Sequence, residues 1–523
     1  MFNILRLFWV TAVSRRQVIL MAMIVSQLGW WQAVQPLQAV TFTVNSTDDV
    51  NDINPGDGLC DDGNGRCTLR AAVSETNALA GEDIIILPAE VYILSIPTSN
   101  ENNNVNGDLD IRDSLTIRGA GMENTIVDAN LKYRVFEIPA GADITVTIED
   151  LTIRNGETGS FGGGLRNNGN TVIINRCSIR DNFADEDGGG IQNEIGGTVT
   201  LNDSVITNNS ALDDGGGIQD FGGVVTLNNS TIDSNQASGG PSNDGGGIYS
   251  LGDLVVNNST IRNNRADRDG GGIYNADGLT VLNNSTIDNN IAGDDGGGIN
   301  NNNNTVLIKN STISNNAASG DPADGLTEGG GIYAFATMDI VNSTISGNGA
   351  SGGSMESAGG GVFNDGSTRI YNSTLSGNSV HDSPVLSGGG IHNDGNPDTV
   401  VLHNNIITNS IGDDCSNTGM AGAFSGSNNL IDDNVSGPCS AISAEAVTAF
   451  DSSLGNNTGP TQTHALFAGS NAIDAGVDNC PDHLEVALPV DQRGIARPRG
   501  MACDIGAVEF VVFQKIYLPF IEH

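Results

Sequence analysis

The chain predicts an all-β fold, a right-handed parallel β-helix of about 12–13 coils with a short N-terminal capping helix. Three observations lead there. The triplet Gly-Gly-Gly followed by an aliphatic residue occurs nine times between Gly162 and Gly390, at intervals of 25 to 33 residues. A second landmark, Asn-Ser-Thr-Ile, recurs in step with it, as at Asn229–Ile232, Asn258–Ile261 and Asn310–Ile313. Between landmarks, apolar residues alternate at a period of two, and the 3.6-residue period of a helical repeat is absent.

Each part of one repeat has a physical reason. Leu201, Leu227, Val256 and Leu282 form an aliphatic column before the Asn landmark, Ile206, Ile232, Ile261 and Ile287 one after it, and Ile218, Ile248, Ile273 and Ile299 one after the glycines. These are short strands with one buried face. The alternation changes phase at the landmark Asn, which sets a corner there. Three strands and three corners fill a coil of roughly 27 residues, and the stacked coils make a rod on the order of 60 Å long. Asn182, Asn209, Asn235 and Asn264 fall at one position of successive coils, so their amides stack as a ladder. Ser204, Ser230 and Ser259 form an inward column of small residues; Cys177 stands in that column and is expected to be a buried thiol. The glycines supply a tight corner or a close backbone approach.

Composition fits a thin rod. Of 523 residues 70 are Gly, and aromatics make up 5%. Lys and Arg total 22 against 62 acidic residues, a net charge of −40 that argues against nucleic acid or an anionic membrane surface as partner. Arg15 and Arg16 precede an apolar run from Val18 to Trp31, and Leu37-Gln38-Ala39 closes a signal peptide over residues 1–39. No other segment is long and apolar enough to span a bilayer, so the mature chain is expected to be secreted or held at the cell surface, and monomeric. Export permits disulfides. The pairs nearest in sequence are Cys60 with Cys67, Cys415 with Cys439 and Cys480 with Cys503, which leaves Cys177 alone.

Both ends carry a family resemblance. Residues 41–96, with Gly58-Leu59-Cys60-Asp61 and Cys67-Thr68-Leu69-Arg70-Ala71-Ala72, resemble the N-terminal module named for the motif Cys-Ser-Leu-Arg-Glu-Ala (CSLREA), with Thr68 and Ala71 in place of Ser and Glu. Read alone, Thr68 is an N-cap and Leu69 to Val73 begin a short helix that would plug the first coil. Residues 454–510 resemble the choice-of-anchor Q region of the same exported bacterial proteins, through Gly459-Pro460-Thr461-Gln462-Thr463-His464, Asp491-Gln492-Arg493-Gly494, Arg497-Pro498 and Asp504-Ile505-Gly506-Ala507-Val508-Glu509. The resemblance implies a secreted or surface protein with a pectate-lyase-like (pectin-lyase-like) coil and no established activity. It divides the mature chain into an N-terminal cap (40–105), the β-helix (106–440), the choice-of-anchor-like region (441–510) and a short tail (511–523).

Two features are candidate sites. Asp187, Asp214, Asp244, Asp269 and Asp295 each stand directly before the glycines, with Glu328 next, so stacking lines them up in a row. Carboxylates ~5 Å apart repel by roughly 1 kcal/mol in water and roughly 3 kcal/mol at a surface dielectric near 20. The row is either a splayed, solvated edge or one bridged by calcium, with Asp185, Asp213, Asp267 and Asp294 as further oxygen ligands. The distance from ladder Asn to the next glycines is 6 residues four times but 10, 13, 11 and 10 at residues 235–245, 316–329, 348–359 and 378–388. These insertions, Gln236–Asp244, Ala317–Glu328, Gly349–Ala358 and Ser379–Ser387, are either length drift or a binding face on one edge.

The expected function is that of a structural or adhesin-like protein, binding an extracellular polysaccharide or cell-wall component through those loops. The alternative is a calcium-dependent polysaccharide lyase or hydrolase. Paired aspartates occur at Asp294-Asp295 and Asp413-Asp414, but no Gly-His-Gly or Arg-Ile-Lys accompanies them. Arg262, Arg265 and Arg268 beside Asp267 and Asp269 read as a solvated corner. Asp491, Arg493 and His464 read as a salt bridge in a terminal cap. No residue is assigned as catalytic.

Overall fold

A computed structural model describes residues 39–511, apart from 98–101, 142, 321–323, 395–398, 419–423, 433–438, 440–441 and 478–479. The expected signal segment, up to residue 38, and the tail from residue 512 lie outside the described residues.

One coil shows the construction. Val224–Asn228 belongs to sheet I, Thr231–Asp233 to sheet II, Gln236–Ala237 to sheet III and Ile248–Ser250 to sheet IV, before Asp253–Asn257 re-enters sheet I. Sheets I and II each run to 14 strands, sheet IV to 12 and sheet III to nine. Strands of successive coils pair in parallel and in register, with Leu227 between Leu201 and Val256. The interior of this coil is Val225, Leu227, Ile232, Ala237 and Ile248, all fully buried. The protein is a parallel β-solenoid.

The fourth strand corrects the expected three-strand coil. At two or three residues it is too short to show alternation. Its sequence signal is a small residue two positions after each ladder Asn (Ala184, Ala211, Ala237, Ala266, Ala292, Ala318 and Ala350, then Val380), every one fully buried.

The corners follow from residue chemistry. The landmark Asn residues turn the chain with positive φ, +50° at Asn229 and +49° at Asn258, a region that Asn tolerates better than most residues. The first glycine of each triplet has φ between +61° and +68°, and a Cβ on Gly215 would lie 2.6 Å from the Ile218 carbonyl oxygen. Only glycine fits there. The Asn ladder closes the next corner: from Asn182 to Asn348, each Nδ2 donates to the next Oδ1 at 2.9–3.0 Å. The serines ladder too, Ser204 N–H donating to Ser230 Oγ at 3.2 Å. Cys177, at the head of that column, is free and buried, and burial pushes its thiol up to about 12.

The N-terminal helix spans Leu69–Ala78, and the Thr68 hydroxyl accepts from the Ala71 N–H at 3.1 Å. It packs on Asp83–Ile86, the second strand of sheet I, and Leu109–Asp110, the first of sheet IV. Buried Arg70 fastens it, reaching Asp49 at 2.6 Å and the carbonyls of Gly107 and Asp108 at 2.6 and 3.0 Å. Disulfides join Cys60–Cys67, Cys415–Cys439 and Cys480–Cys503.

The C-terminal region is not a terminal cap, as the sequence suggested. Residues 449–510 run back along the outer face of sheet II as a strap. Thr312 Oγ1 donates to the Gln462 carbonyl (2.6 Å), Thr344 Oγ1 to Gln492 Oε1 (2.6 Å) and Asn372 Nδ2 to the Pro481 carbonyl (2.8 Å). Gly506, at φ +99°, lies so close to Thr374 and Ile406 that a Cβ would meet them at 2.8–2.9 Å. A small apolar cluster of Ile406, Leu430, Leu466, Ala472, Ile505, Ala507 and Val508 seals the contact. Arg493 pairs with Asp491 at 2.6 Å and Arg497 with Glu509 at 3.1 Å, the latter with both side chains fully buried. His464 lies apart from them, bridging Ser346 Oγ and the Asp451 carbonyl at 2.9 Å each. No helix among the described residues is long and apolar enough to cross a membrane.

Candidate functional site

The acidic row forms where the triplet corner meets sheet IV, and it is neither splayed nor fully solvated. Each carboxylate accepts the backbone N–H of the acid in the next coil. Asp187 Oδ1 takes Asp214 N–H at 2.9 Å, Asp214 takes Asp244 at 2.8 Å, Asp244 takes Asp269 at 3.1 Å, Asp269 takes Asp295 at 3.0 Å and Asp295 takes Glu328 at 2.9 Å. These bonds pin the carboxylates one coil apart, so their mutual repulsion is built in.

Burial raises the proton affinity of the whole row, and neighbouring carboxylates add to it. Asp214 is pushed up to about 7, Asp244 to about 8 and Glu328 to about 8. Asp187, Asp269 and Asp295 shift the same way, chiefly through burial, and Asp294 rises to about 7. Arg268 is the row's cation. It bonds both oxygens of Asp244 and lies 3.2 Å from Asp269, a partly exposed guanidinium on a corner that the sequence read as solvated, with buried Asp244 as its partner. Arg262 instead pairs with Asp233 at 2.9 Å, and Arg265 lies 3.9 Å from Asp267. The row therefore resolves into parts. One oxygen from each of Asp187, Asp213 and Asp214 lies within 4.8 Å of the others, and the same holds for Asp269, Asp294 and Asp295. Asp244 sits between the two groups, held by arginine. Asp185 and Asp267 join neither group.

Beside the row runs a column that sequence reading passed over. The residue after the aliphatic of each triplet points outward from sheet IV, giving Arg166, Gln192, Gln219, Tyr249, Tyr274, Asn300, Tyr333, Phe363 and His392 in register. Tyr249 stacks on Tyr274 at 5.2 Å, and Phe363 stacks between Tyr333 at 5.4 Å and His392 at 5.1 Å. Burial, then nearby carboxylates (Asp214 for Tyr249, Asp295 for Tyr333), hold these phenols firmly protonated. They are hydroxyl donors set against acceptors. The signal was present in Gly-Gly-Gly-Ile-Tyr, but a polar or aromatic residue in alternate positions of a strand also reads as a plain outer face.

Three of the four insertions each contribute a strand to a fifth sheet. Leu326–Glu328, Glu356–Ala358 and Val385–Ser387 pair in parallel as sheet V, a ridge over the same corner. On and beside it Met355 (57%), Val385 (48%) and Leu386 (45%) are exposed. The insertion 236–244 adds no strand to it. Nearer the N-terminus, a cleft of about 420 Å³ gathers Asp108, Lys132, Arg134, Glu137 and Arg166. There Arg134 is spent on Asp108 at 2.8 Å and Glu137 at 2.5 Å, while Arg166 reaches Glu194 at 2.8 Å.

Residues 258–276, most of one regular coil, match the Chlamydia polymorphic membrane protein repeat. None of the curated proteins matches the chain. Three solved structures match the chain at low identity. The A-module of Azotobacter vinelandii mannuronan C-5 epimerase AlgE4 is 17% identical, with a TM-score of 0.36, 75% of this chain and 97% of that one covered. Pectate lyase Pel9A is 16% identical, with a TM-score of 0.34 and coverage of 89% and 97%. A mannuronic-acid-specific polysaccharide family 6 lyase from human gut microbiota is 12% identical, with a TM-score of 0.27 and coverage of 66% and 87%.

Proposed function

We propose that this protein is a secreted or surface-displayed β-helical scaffold of the exported CSLREA and choice-of-anchor Q type, which holds an extracellular glycan along the edge that carries the acidic row and, from Glu328 onward, sheet V. The observation that carries the reading is a row of pinned carboxylates facing tyrosine hydroxyls, alongside a ridge of exposed Met355, Val385 and Leu386. Carboxylates and phenols match sugar hydroxyls, and the apolar ridge matches the C–H face of a pyranose. Calcium belongs to this reading: it neutralises the row at pH values where protons leave it, and oxygen ligands suit it. The three disulfides accord with an oxidising compartment.

The test is retention of the chain on immobilised glycans, neutral and uronate, followed together with the ultraviolet absorbance of any unsaturated product. Retention without product is the expected outcome, lost in Leu386→Asp with thermal stability intact; no retention on any glycan overturns the reading. One observation favours a second reading, a polysaccharide lyase: the cleft sets Lys132 and Arg166, candidate base and carboxylate partner, beside Asp108 and Glu137. Product formation that Lys132→Ala abolishes would replace the first reading with the second.

A further inference from the structure

We infer that the acidic row binds divalent cations at two discrete, equivalent sites: Asp187, Asp213 and Asp214 with the Gln219 amide oxygen, and Asp269, Asp294 and Asp295 with the Asn300 amide oxygen. The inference rests on the reading that the row takes a cation, and it says where and how many.

The argument begins with which coils gather three acids. Asp213-Asp214-Gly-Gly-Gly-Ile218-Gln219 and Asp294-Asp295-Gly-Gly-Gly-Ile299-Asn300 share one pattern, an acidic pair before the glycines and an amide after the isoleucine. The other acidic coils break it. Asn243-Asp244 leads to Tyr249, Arg268-Asp269 to Tyr274 and Thr327-Glu328 to Tyr333, each with one acid and an aromatic. Glu186-Asp187 does lead to Gln192, but the coil before it offers Phe161 where Asp213-Asp214 has Asp187 below and Asp294-Asp295 has Asp269 below. A site needs a pair from one coil and a single acid from the coil beneath. Only two places in the row provide both.

The amides are the second, independent observation. Gln219 and Asn300 are each 3% exposed, and among the described residues the carbonyl oxygen of each is buried without a hydrogen-bond partner. Gln192 Oε1 is in the same state, but the coil beneath its own offers no acid to the row, so it marks no third site. Gln219 packs over Gly215, directly after Asp214, and its side chain reaches the Asp187 carboxyl. Asn300 packs over Gly296, directly after Asp295, in the same place of its own coil. Asp294 Oδ1 in the second group is likewise buried and unpartnered. An acceptor oxygen with no donor beside three carboxylates is a poor arrangement for protons alone and a good one for a hard cation, which takes carboxylate and amide oxygens together. All the donors are oxygen, which points to calcium before a softer metal. The groups facing the sites besides these ligands are Glu186 beside the first, Arg268, Asp324 and Glu328 beside the second, and the Tyr249, Tyr274 and Tyr333 phenols.

The experiment is calcium titration of the full chain by calorimetry at pH 8, with terbium luminescence sensitised by the neighbouring tyrosines as a second readout. Two ions per chain are expected, one in Gln219→Leu, one in Asn300→Leu and none in the double variant. Gln219→Glu, which keeps an oxygen at the position, is expected to retain both. Circular dichroism and melting in chelator establish that each variant is folded before it is titrated. Three or more ions, or a stoichiometry indifferent to both amides, overturns the two-site assignment and leaves the broader reading standing. No binding at all overturns both.

Discussion

Sheet II is one continuous surface with two chemistries. Its outward positions are Thr231 and Asp233, Thr260 and Arg262, and Thr286 and Asp288 in the N-terminal part, where they meet solvent and cross-coil ion pairs such as Arg262–Asp233. From the next coil they become Thr312 and Ser314, Thr344 and Ser346, Thr374 and Ser376, all buried beneath the strap. The inner isoleucines do not change across this boundary. In a solenoid the inward residue reports the coil and the outward residue reports what covers it. The acidic row gives a third case, since its carboxylates are drawn into the protein by backbone bonds while most of them keep partial exposure.

Breaking the strap should produce the largest effect. Arg497→Ala strands Glu509 in a site where both side chains are fully buried, and a loss of roughly 3–5 kcal/mol in urea unfolding is expected. Next comes a paired substitution. Thr344→Arg forces a charge under the strap and should cost about 2–4 kcal/mol, with proteolytic nicking of residues 449–510, whereas Thr260→Arg on the open part stays within about 0.5 kcal/mol. Equal losses in the two variants would erase the distinction. The Asn ladder should ignore the boundary: Asn264→Ala and Asn348→Ala each leave buried groups unpaired and should each cost about 1–3 kcal/mol. The smallest effect belongs to Arg262→Ala, which removes a half-exposed ion pair worth about 0–0.5 kcal/mol.

The legibility of the chain follows the same division. Inward columns were readable because a thin coil accepts only aliphatic or small side chains at fixed places, and Ile206 to Ile287 stack as their spacing demands. The ladders of Asn209 and Ser230 were readable because identical polar residues one coil apart have each other as partners. Sheet III was not, because two residues cannot display a period. The strap's path was not either: the change from Arg262 to Ser314 and Ser346 is visible in the sequence, but nothing local says which segment lies on top. Within the site, the row itself followed from stacking, while its division by Arg268 and by Gln219 and Asn300 required knowing which outward side chains share a corner.

The central claim is that the acidic row is a ligand site whose charge must be met by protons or by a cation. Its members with raised pKa values, Asp214 at about 7 and Asp244 and Glu328 at about 8, bind protons more tightly folded than unfolded. Their stabilisation is complete below the unfolded values of 3.8 and 4.5 and is lost as pH rises toward 8. Buried His392, held down at about 4, works in the opposite direction below its unfolded value of 6.5, as do His464 and His403, each lowered chiefly by burial; these three histidines stand against the larger acidic row. The direct measurement is the melting temperature of the chelated chain from pH 5 to pH 8, repeated with millimolar calcium. The account predicts a fall with rising pH that calcium reverses at pH 8 and leaves untouched at pH 5. A melting temperature that is flat with pH and indifferent to calcium would contradict it.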